Sequence, residues 1–197
     1  MKKLHSTLMV VLMLEFIGFA VWWNYSKTRI LVLHSYDTEY AWSKSIDEGI
    51  RRVLKPKADW SLRWHYMDTK RHPWDEYKRR AGTSVRRLMK DWKPALVIAI
   101  DDDAQKQVMK HYVNNDDVQV VYVGINGEID RYGYAAARNV TGIVERVPWQ
   151  ALKELLQNSS LGQAKPDLRI LHLGDTTGTV RQDAQYIREF DWAPLKL

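Results

Sequence analysis

The chain has 197 residues, of which 45% are hydrophobic and 27% charged, and it contains no cysteine. This length and composition fit one globular domain or somewhat more, and they exclude a wholly disordered chain. The lack of cysteine excludes disulfide scaffolds, thiol catalysis and thiolate metal sites. The net charge is +6, and half of it belongs to residues 1–29, which carry four basic side chains and one acidic one. So small an excess elsewhere is not typical of a nucleic-acid binder, so we expect no nucleic-acid partner.

The chain starts with two lysines and then an apolar run. Residues 7–23 are apolar apart from Glu15 and Gly18. Seventeen residues stand at the lower limit for a transmembrane helix, and no small-residue cleavage motif precedes residue 24. We therefore predict that residues 1–28 form an uncleaved signal anchor in the inner membrane, with the rest of the chain in the periplasm or outside the cell. The alternative is a cleaved signal peptide that releases the domain to the periplasm.

Short apolar or alternating runs beyond residue 28 predict six strands, and apolar residues at helical spacing predict five helices between and after them. Continuous apolar runs are typical of strands that are buried on both faces of a parallel sheet. The predicted strands are 30–33, 60–66, 95–100, 118–123, 140–144 and 168–173. The predicted helices are 42–54, 77–92, 103–112, 149–156 and 179–190.

This alternation predicts an α/β fold with a parallel, doubly wound sheet that helices cover on both faces. Residues 157–167 are rich in Asn, Ser, Gly and Pro, which is typical of a linker. We assign residues 29–146 to a first α/β ligand-binding lobe and residues 147–197 to the start of a second lobe. The second segment is too short to bury a sheet of its own.

Polar side chains follow every predicted strand. Ligands of open parallel sheets bind at the carboxyl ends of the strands, near the point where strand order reverses, so these side chains predict a cleft for a polar small molecule. Helix N-capping is the alternative for such strand-end residues. The predicted ligand-binding residues are Ser35, Tyr36, Trp42, Asp68, Asp101, Asp102, Asn126, Glu145 and Asp175.

Each group in this set suggests a chemical role. The adjacent carboxylates Asp101 and Asp102 favour recognition of a ligand cation or amine, or a nearby Lys70 or Arg71. Tyr36 and Trp42 favour an apolar or stacking wall, with core packing as the alternative. The amide of Asn126 offers a donor and an acceptor together, Glu145 stands where the chain crosses to the second lobe, and Asp175 would close from that lobe.

The chain lacks the common motifs for nucleotide binding, serine hydrolysis and zinc hydrolysis. Its six histidines are scattered without metal-ligand spacing, so we expect no cofactor, no metal and no catalytic residue. One enzymatic alternative stays open. Asp101 and Asp103 form a DxD sequence after an apolar strand, the arrangement with which glycosyltransferases hold Mn²⁺ or Mg²⁺ on a nucleotide sugar.

Six segments resemble a known family in the order in which they occur. They are residues 31–36 with Trp42 and Gly49, 66–71, 101–104, 123–126, 141–145 and 174–178. Together they resemble the ABC-transporter substrate-binding-protein-like family, and most of all its members that serve as extracytoplasmic sensor domains. The resemblance covers about residues 29–190, and its most specific piece is Met-Asp-Thr-Lys-Arg at 67–71.

This resemblance implies the type I periplasmic-binding fold, in which two α/β lobes close on a small molecule such as an amino acid or a similar metabolite. It implies a non-enzymatic solute-binding or sensor domain. It also implies an ABC permease or a signalling protein as partner, besides the membrane itself.

Overall fold

The computed structural model describes residues 2–54, 59–165, 167–174 and 178–197. Within these residues the strands are β1 (Thr28–His34), β2 (Trp60–Tyr66), β3 (Leu96–Ile100), β4 (Gln119–Ile125) and β5 (Val140–Val144). The α-helices are α1 (Lys2–Ser26), α2 (Ala41–Val53), α3 (Asp75–Trp92), α4 (Asp102–Gln107), α5 (Trp149–Asn158), α6 (Ser160–Ala164) and α7 (Gly178–Glu189). Short 3-10 helices span Met109–Tyr112 and Ile129–Tyr132.

The five strands form one sheet in the order β2-β1-β3-β4-β5, and every neighbouring pair is parallel. The chain moves from β1 to β2 on one side and then returns across β1 to add β3 on the other side. Strand order therefore reverses between β1 and β3, which is where α/β sheets bind ligands. The predicted α/β fold with a parallel sheet is confirmed.

One face of the sheet carries the main hydrophobic core, which α3 and α4 cover. Its fully or nearly buried members on the strands are Leu31, Leu33, Val97, Ala99, Val120 and Tyr122, and those on the helical side are Val85, Met89, Ala104, Val108 and Met109. Burying an aliphatic side chain of this size contributes about 1.5–3 kcal/mol, so this layer is the main source of stability.

The opposite face packs under α2 through a polar network. Asp47 of α2 accepts hydrogen bonds from His34 Nε2 at 2.9 Å, from Trp64 Nε1 at 3.0 Å and from the Tyr66 hydroxyl. His34 is fully buried and stacks on Tyr66 with 4.8 Å between ring centroids. Burial lowers the pKa of His34, although the charge and hydrogen bond of Asp47 oppose that shift. A neutral imidazole therefore ties α2 to the ends of β1 and β2.

The helix α1 extends away from the sheet. Its stretch Met9–Ser26 is long and apolar enough to cross a membrane, and none of it is buried. At 1.5 Å per residue the 25 residues of α1 span about 37 Å, more than the ~30 Å hydrocarbon core of a bilayer. An anchor and a signal peptide share these features, so both alternatives from the sequence stay open.

The predicted sixth strand, residues 168–173, is wrong. Among the described residues of this stretch, only Arg169 forms a β-bridge, with Lys196, and it is isolated. Leu171 and Leu173 are 80% and 82% exposed. All five strands of the sheet come from residues 28–144, so this apolar segment has no neighbouring strand against which to form a ladder.

Two further sequence predictions need correction. The helix predicted at 103–112 ends at Gln107 and continues as a 3-10 helix, because Val108 takes a non-helical conformation with φ of −127°. The linker predicted at 157–167 contains the end of α5 and the whole of α6. The hydroxyl of Ser159 accepts a bond from Gly162 N at 3.0 Å and so caps α6. The proposed boundaries between the lobes stay predictions.

Candidate functional site

Ser35 joins the carboxyl ends of β1 and β3 at the switch point. Its Oγ donates to the Ile100 carbonyl at 2.9 Å and accepts from the Ala104 amide at 2.8 Å. The side chain is 1% exposed. Ser35 is thus in the predicted place, with its hydroxyl used to position the turn into α4.

Asp101 lies directly beside Ser35, at the end of β3. Its backbone takes a left-handed φ of +69°, and its side chain is buried. The Tyr36 hydroxyl donates to Asp101 Oδ1 at 2.9 Å. Burial raises the pKa of Asp101 to about 7, the carboxylates of Asp102 and Asp103 add to that rise, and the bond from Tyr36 opposes it. A pKa this high means that the Asp101 carboxyl titrates near neutral pH.

Asp102 holds the loop after β4. Its Oδ2 accepts from the Asn126 amide at 2.9 Å, and its Oδ1 accepts from the Gly127 amide at 3.2 Å and from the Tyr132 hydroxyl. Both oxygens thus have partners from the chain itself. The next carboxylate, Asp103, forms an ion pair with Lys78 at 2.8 Å. Adjacent aspartates therefore reach different elements rather than one shared ligand position.

Three aromatic rings form a wall at the start of α2. Tyr36 lies 5.2 Å from Tyr40 and 5.8 Å from Trp42 between ring centroids. The Lys70 ammonium lies over both tyrosine rings, 4.9 Å from Tyr36 and 4.5 Å from Tyr40, and donates to the Tyr40 hydroxyl at 3.0 Å. Such rings attract cations through their faces. Trp42 is half-buried, which leaves part of the indole at the surface.

Gly124 allows Trp42 to lie against the end of β4. Its φ is +68°, and a Cβ at this position would meet Trp42 Cζ2 at 2.8 Å. The same Cβ would lie 3.6 Å from Glu145 Oε2, so the indole and this carboxylate border one patch of backbone. The register of β4 and β5 shifts at this point, between Val123 and Ile125. Glycine is needed here both for its backbone conformation and for the close contact.

A group of carboxylates lies beside this patch. Burial raises the pKa of Glu145; the charges of Asp183 and Asp102 add to the rise, and a hydrogen bond with the Asn126 side chain opposes it. Burial likewise raises the pKa of Asp183, the charges of His172 and Arg146 oppose that rise, and the charge of Asp102 adds to it. Mutual repulsion of this kind is relieved by a bound cation.

Arg146 fixes the loops around those carboxylates. Its guanidinium donates from Nη1 to the carbonyls of Ile125, Asn126 and Glu145, at 2.8–3.0 Å. It also lies 5.6 Å from the ring of Tyr186 on α7. Arg146 is absent from the sequence-predicted set. Its position directly after a predicted strand is the signal in the sequence that could have found it.

Asp68 follows β2, the outer strand at the opposite side of the sheet from β5, and lies in a left-handed turn with φ of +56°. The Arg71 guanidinium binds both of its oxygens at 2.8 Å, and these bonds are the main reason that the pKa of Asp68 is lowered. Asp68 therefore has a partner within its own loop. Asp175, the last residue of the predicted set, lies outside the described residues.

The structure thus divides the predicted residues into two groups. Tyr36, Trp42, Asn126 and Glu145 lie together at the carboxyl ends of β1, β4 and β5. Lys70, Tyr40 and Asp183 border them, and none of these three belongs to the predicted ligand-binding set. The remaining residues, Ser35, Asp68, Asp101 and Asp102, bond chiefly to the chain itself. Asp68 bonds within its own loop, and the other three bond to loops that follow neighbouring strands. Among the described residues, no group of three His, Asp or Glu side chains is arranged to hold a metal ion.

A separate surface pocket lies between the loop after β4 and α7. Its volume is about 230 Å³, and its lining consists of Gly127, Glu128, Arg131, Gln185, Tyr186 and Glu189. No sequence-predicted site residue lines it. The pocket borders the convergent group through Arg146, which lies 3.6 Å from Glu128 and stacks near Tyr186.

Comparison with protein families and with curated proteins gives no match. Among solved structures, the chain is similar to an ABC domain from Streptococcus pneumoniae in complex with L-Trp. Sequence identity is 14% and the TM-score is 0.55; the match covers 85% of this chain and 54% of the other. The chain thus spans about half the length of that protein. At this identity the likeness shows the fold alone, an α/β fold of the periplasmic-binding type.

Proposed function

We propose that the chain is an extracytoplasmic, non-enzymatic binding domain of the ABC substrate-binding type, attached to the membrane through α1. It binds a small molecule, an amino acid or similar metabolite, at the carboxyl edge of its sheet. The observation that carries this proposal is the convergence of Trp42, Glu145 and Asn126 beside the switch point of an all-parallel sheet. A protein of the same fold type that is bound to L-Trp supports it.

The chemistry of the convergent group indicates what the ligand contains. Glu145 and Asp183 have raised pKa values partly because they face other carboxylates, and a ligand ammonium would relieve that repulsion. The indole of Trp42 and the ring of Tyr36 provide an apolar wall. The Lys70 ammonium lies within the same aromatic cluster, where it provides a partner for a ligand carboxylate. A zwitterion with an apolar side chain is complementary to the carboxylates, the aromatic wall and the Lys70 ammonium.

The predicted residues then take two roles in this proposal. Tyr36, Trp42, Asn126 and Glu145 contact the ligand. The residues Ser35, Asp68, Asp101 and Asp102 position the loops that carry those contacts, because each has its oxygens engaged by the chain. The domain then acts with an ABC permease in uptake or with a signalling protein in sensing.

The glycosyltransferase alternative receives no support from the geometry. A DxD pair holds one cation between its two carboxylates. In this chain Asp101 is buried against the Tyr36 hydroxyl, whereas Asp103 forms an ion pair with Lys78. The two carboxylates thus have separate partners, and we favour binding without catalysis.

A thermal-shift screen of the full chain in detergent tests this function. The panel contains the amino acids, amines, sugars and nucleosides, and each hit is confirmed by calorimetric titration. A ligand at one hundred times its dissociation constant stabilises the protein by about 2.7 kcal/mol, which is visible as a rise in Tm. We expect hits among the amino acids, with aromatic ones the strongest.

Variants then locate the site. Glu145→Gln removes one charged partner and is expected to weaken binding by about 1.5–3 kcal/mol. Lys70→Gln is expected to lower the affinity for ligands that carry a carboxylate and to leave the affinity for simple amines unchanged. Lys110→Gln serves as a matched control, because Lys110 is exposed at a distance from the carboxyl edge. Equal affinity in Glu145→Gln, Lys70→Gln and the control would place the site elsewhere.

A further inference from the structure

The connection between α1 and the sheet is one residue long. α1 ends at Ser26 and β1 begins at Thr28. Two contacts tighten the junction, because the Lys27 ammonium lies 5.9 Å from the ring of Trp23 and the Arg29 guanidinium lies 5.4 Å from the ring of Tyr25. With α1 in a bilayer, a connection this short leaves the amino-terminal edge of the sheet at the membrane surface.

The same edge carries basic side chains around the end of α1. Arg29 donates from Nη1 to the Trp92 carbonyl at 2.8 Å. Arg63 stands at the middle of β2, and its guanidinium lies 4.5 Å from the ring of Trp92 at the end of α3. Lys93 follows directly and is exposed, in a left-handed conformation with φ of +49°. We define the basic collar as Lys27, Arg29, Arg63, Lys90 and Lys93.

The choice of lysine at position 93 is informative. A residue that ends a helix in the left-handed conformation is most often glycine, because side chains disfavour that conformation. Lys93 instead directs a charge outward at the end of α3, one turn from Lys90. Acidic residues are also present at this edge. Asp59 and Asp91 are near the collar in sequence, and Asp116 and Asp117 precede β4 on the far side of the sheet.

We propose that the basic collar docks on anionic lipid headgroups, so that the amino-terminal edge of the sheet rests on the membrane and the ligand site faces away from it. The aromatic residues at the end of α1 support this position of the sheet at the membrane surface. Trp22, Trp23 and Tyr25 are exposed at the end of α1, where an interfacial belt is expected. A seven-residue strand is about 20 Å long, which exceeds the ~8–10 Å screening length of physiological salt. The site therefore lies beyond the field of the headgroups.

Fluorescence quenching in nanodiscs tests this orientation. The chain contains no cysteine, so Ala95→Cys and Thr38→Cys give single attachment sites for a fluorophore. Ala95 is exposed at the amino-terminal edge and Thr38 is exposed beyond the carboxyl end of β1. The nanodiscs contain the full chain, a lipid with a nitroxide on its headgroup, and either phosphatidylglycerol or phosphatidylcholine as the main lipid.

We expect strong quenching at position 95 and little at position 38, with the quenching at 95 larger in phosphatidylglycerol and reduced to the phosphatidylcholine level in 0.5 M salt. The double variant Lys90→Gln/Lys93→Gln is expected to lose that extra quenching. The double variant Arg79→Gln/Arg80→Gln, which removes two exposed charges from an earlier part of α3, is expected to keep it.

Several outcomes overturn the proposal. Equal quenching at positions 95 and 38 contradicts the orientation, and a chain that does not migrate with nanodiscs contradicts the membrane attachment. Equal quenching at 95 in both lipids, or an equal loss in both double variants, contradicts recognition of anionic headgroups by the basic collar. The proposal rests on the membrane attachment in the proposed function, but these readouts involve no ligand and are therefore independent of the ligand screen.

Discussion

Residues 28–146 and residues 147–197 contain similar sequence patterns that lead to different structures. Both regions have amphipathic helices and a short run rich in apolar residues, 30–33 in the first region and 168–173 in the second. In the first region, Leu31 and Leu33 are fully buried between β2 and β3. In the second, Leu171 and Leu173 are more than three-quarters exposed. An apolar run becomes a strand only where neighbouring strands complete its hydrogen bonds.

The second region has a small cluster of its own and side-chain links to the first. Ile187, Trp192 and Leu195 are buried, and the Trp192 indole donates to the Ile187 carbonyl at 2.9 Å. The Tyr186 hydroxyl donates to Glu128 in the first region. These contacts hold the second region with far less buried apolar area than the sheet provides.

The largest expected effect is a difference in stability between alanine variants of a leucine in the first region and a leucine in the second. Leu33→Ala removes a fully buried side chain from β1, an interior strand of the sheet, and is expected to lower the free energy of unfolding by about 2–5 kcal/mol. Leu171→Ala removes an exposed side chain and is expected to change it by less than about 0.5 kcal/mol. Urea denaturation of both variants measures the difference. Similar losses would mean that the second region is part of the same core.

The next prediction concerns Asp101, whose pKa is raised to about 7 by burial. A carboxyl with a raised pKa stabilises the folded state at low pH, and this stabilisation is lost as pH rises from about 4 through about 7. The slope is roughly 1.4 kcal/mol per pH unit. Asp101→Asn keeps an oxygen for the Tyr36 hydroxyl and removes the titrating group. The free energy of unfolding of this variant, relative to that of the parent chain, should therefore increase as pH rises.

The pH series must account for His34, whose lowered pKa has the opposite effect. A neutral buried histidine costs stability as pH falls below 6.5, since the unfolded chain takes up the proton first. Urea denaturation of the parent and Asp101→Asn at each pH cancels this shared contribution. Parallel stability curves from pH 4 to 8 would show that Asp101 does not titrate in this range.

A smaller effect is expected at Asn139, a buried polar residue of the first region. Its Nδ2 donates to the carbonyls of Tyr112, Asn115 and Val118, and its Oδ1 accepts from the Asn114 amide. Asn139→Ala leaves these groups unsatisfied and is expected to cost about 1–3 kcal/mol in urea denaturation. Asn158→Ala, an exposed control at the end of α5, should leave stability nearly unchanged.

The smallest effect is expected for the ion pair of Lys196 with Asp167 in the second region. The two side chains are 63% and 71% exposed at 3.0 Å. Water and salt screen such pairs, so Lys196→Gln should leave the Tm indistinguishable from that of the parent. A clear fall in Tm would indicate that this contact holds residues 147–197 in place and that the two regions are more alike than the burial suggests.

The sheet was predictable from sequence because β1 and β3 are continuously apolar, a pattern that suits only strands covered on both faces. The predicted bounds of β2 and β5 agree with the structure. The absence of a strand at 168–173 was not predictable, since four of these six residues are apolar and the outcome depends on whether a neighbouring strand is present. Local sequence carries no information about that neighbour.

The candidate site was predictable in position but not in its pairings. The carboxyl-edge rule selects Tyr36, Asn126 and Glu145 correctly as residues of one edge. The partners of Asp102 come from a loop more than twenty residues away, and Lys78 reaches Asp103 from α3. Such pairings depend on tertiary packing, which is why Arg146 was missed and why Lys70 was expected beside the aspartates rather than over the rings of Tyr36 and Tyr40.

Hydrogen exchange on the full chain tests the central contrast most directly. The account predicts that backbone amides of β1, β3 and β4 exchange only through global unfolding, whereas those of residues 147–197 exchange orders of magnitude faster through local opening. The helices α5 and α7 should be the slowest parts of the second region. Equal protection of the two regions would contradict the account, because it would mean that residues 147–197 share the stability of the sheet.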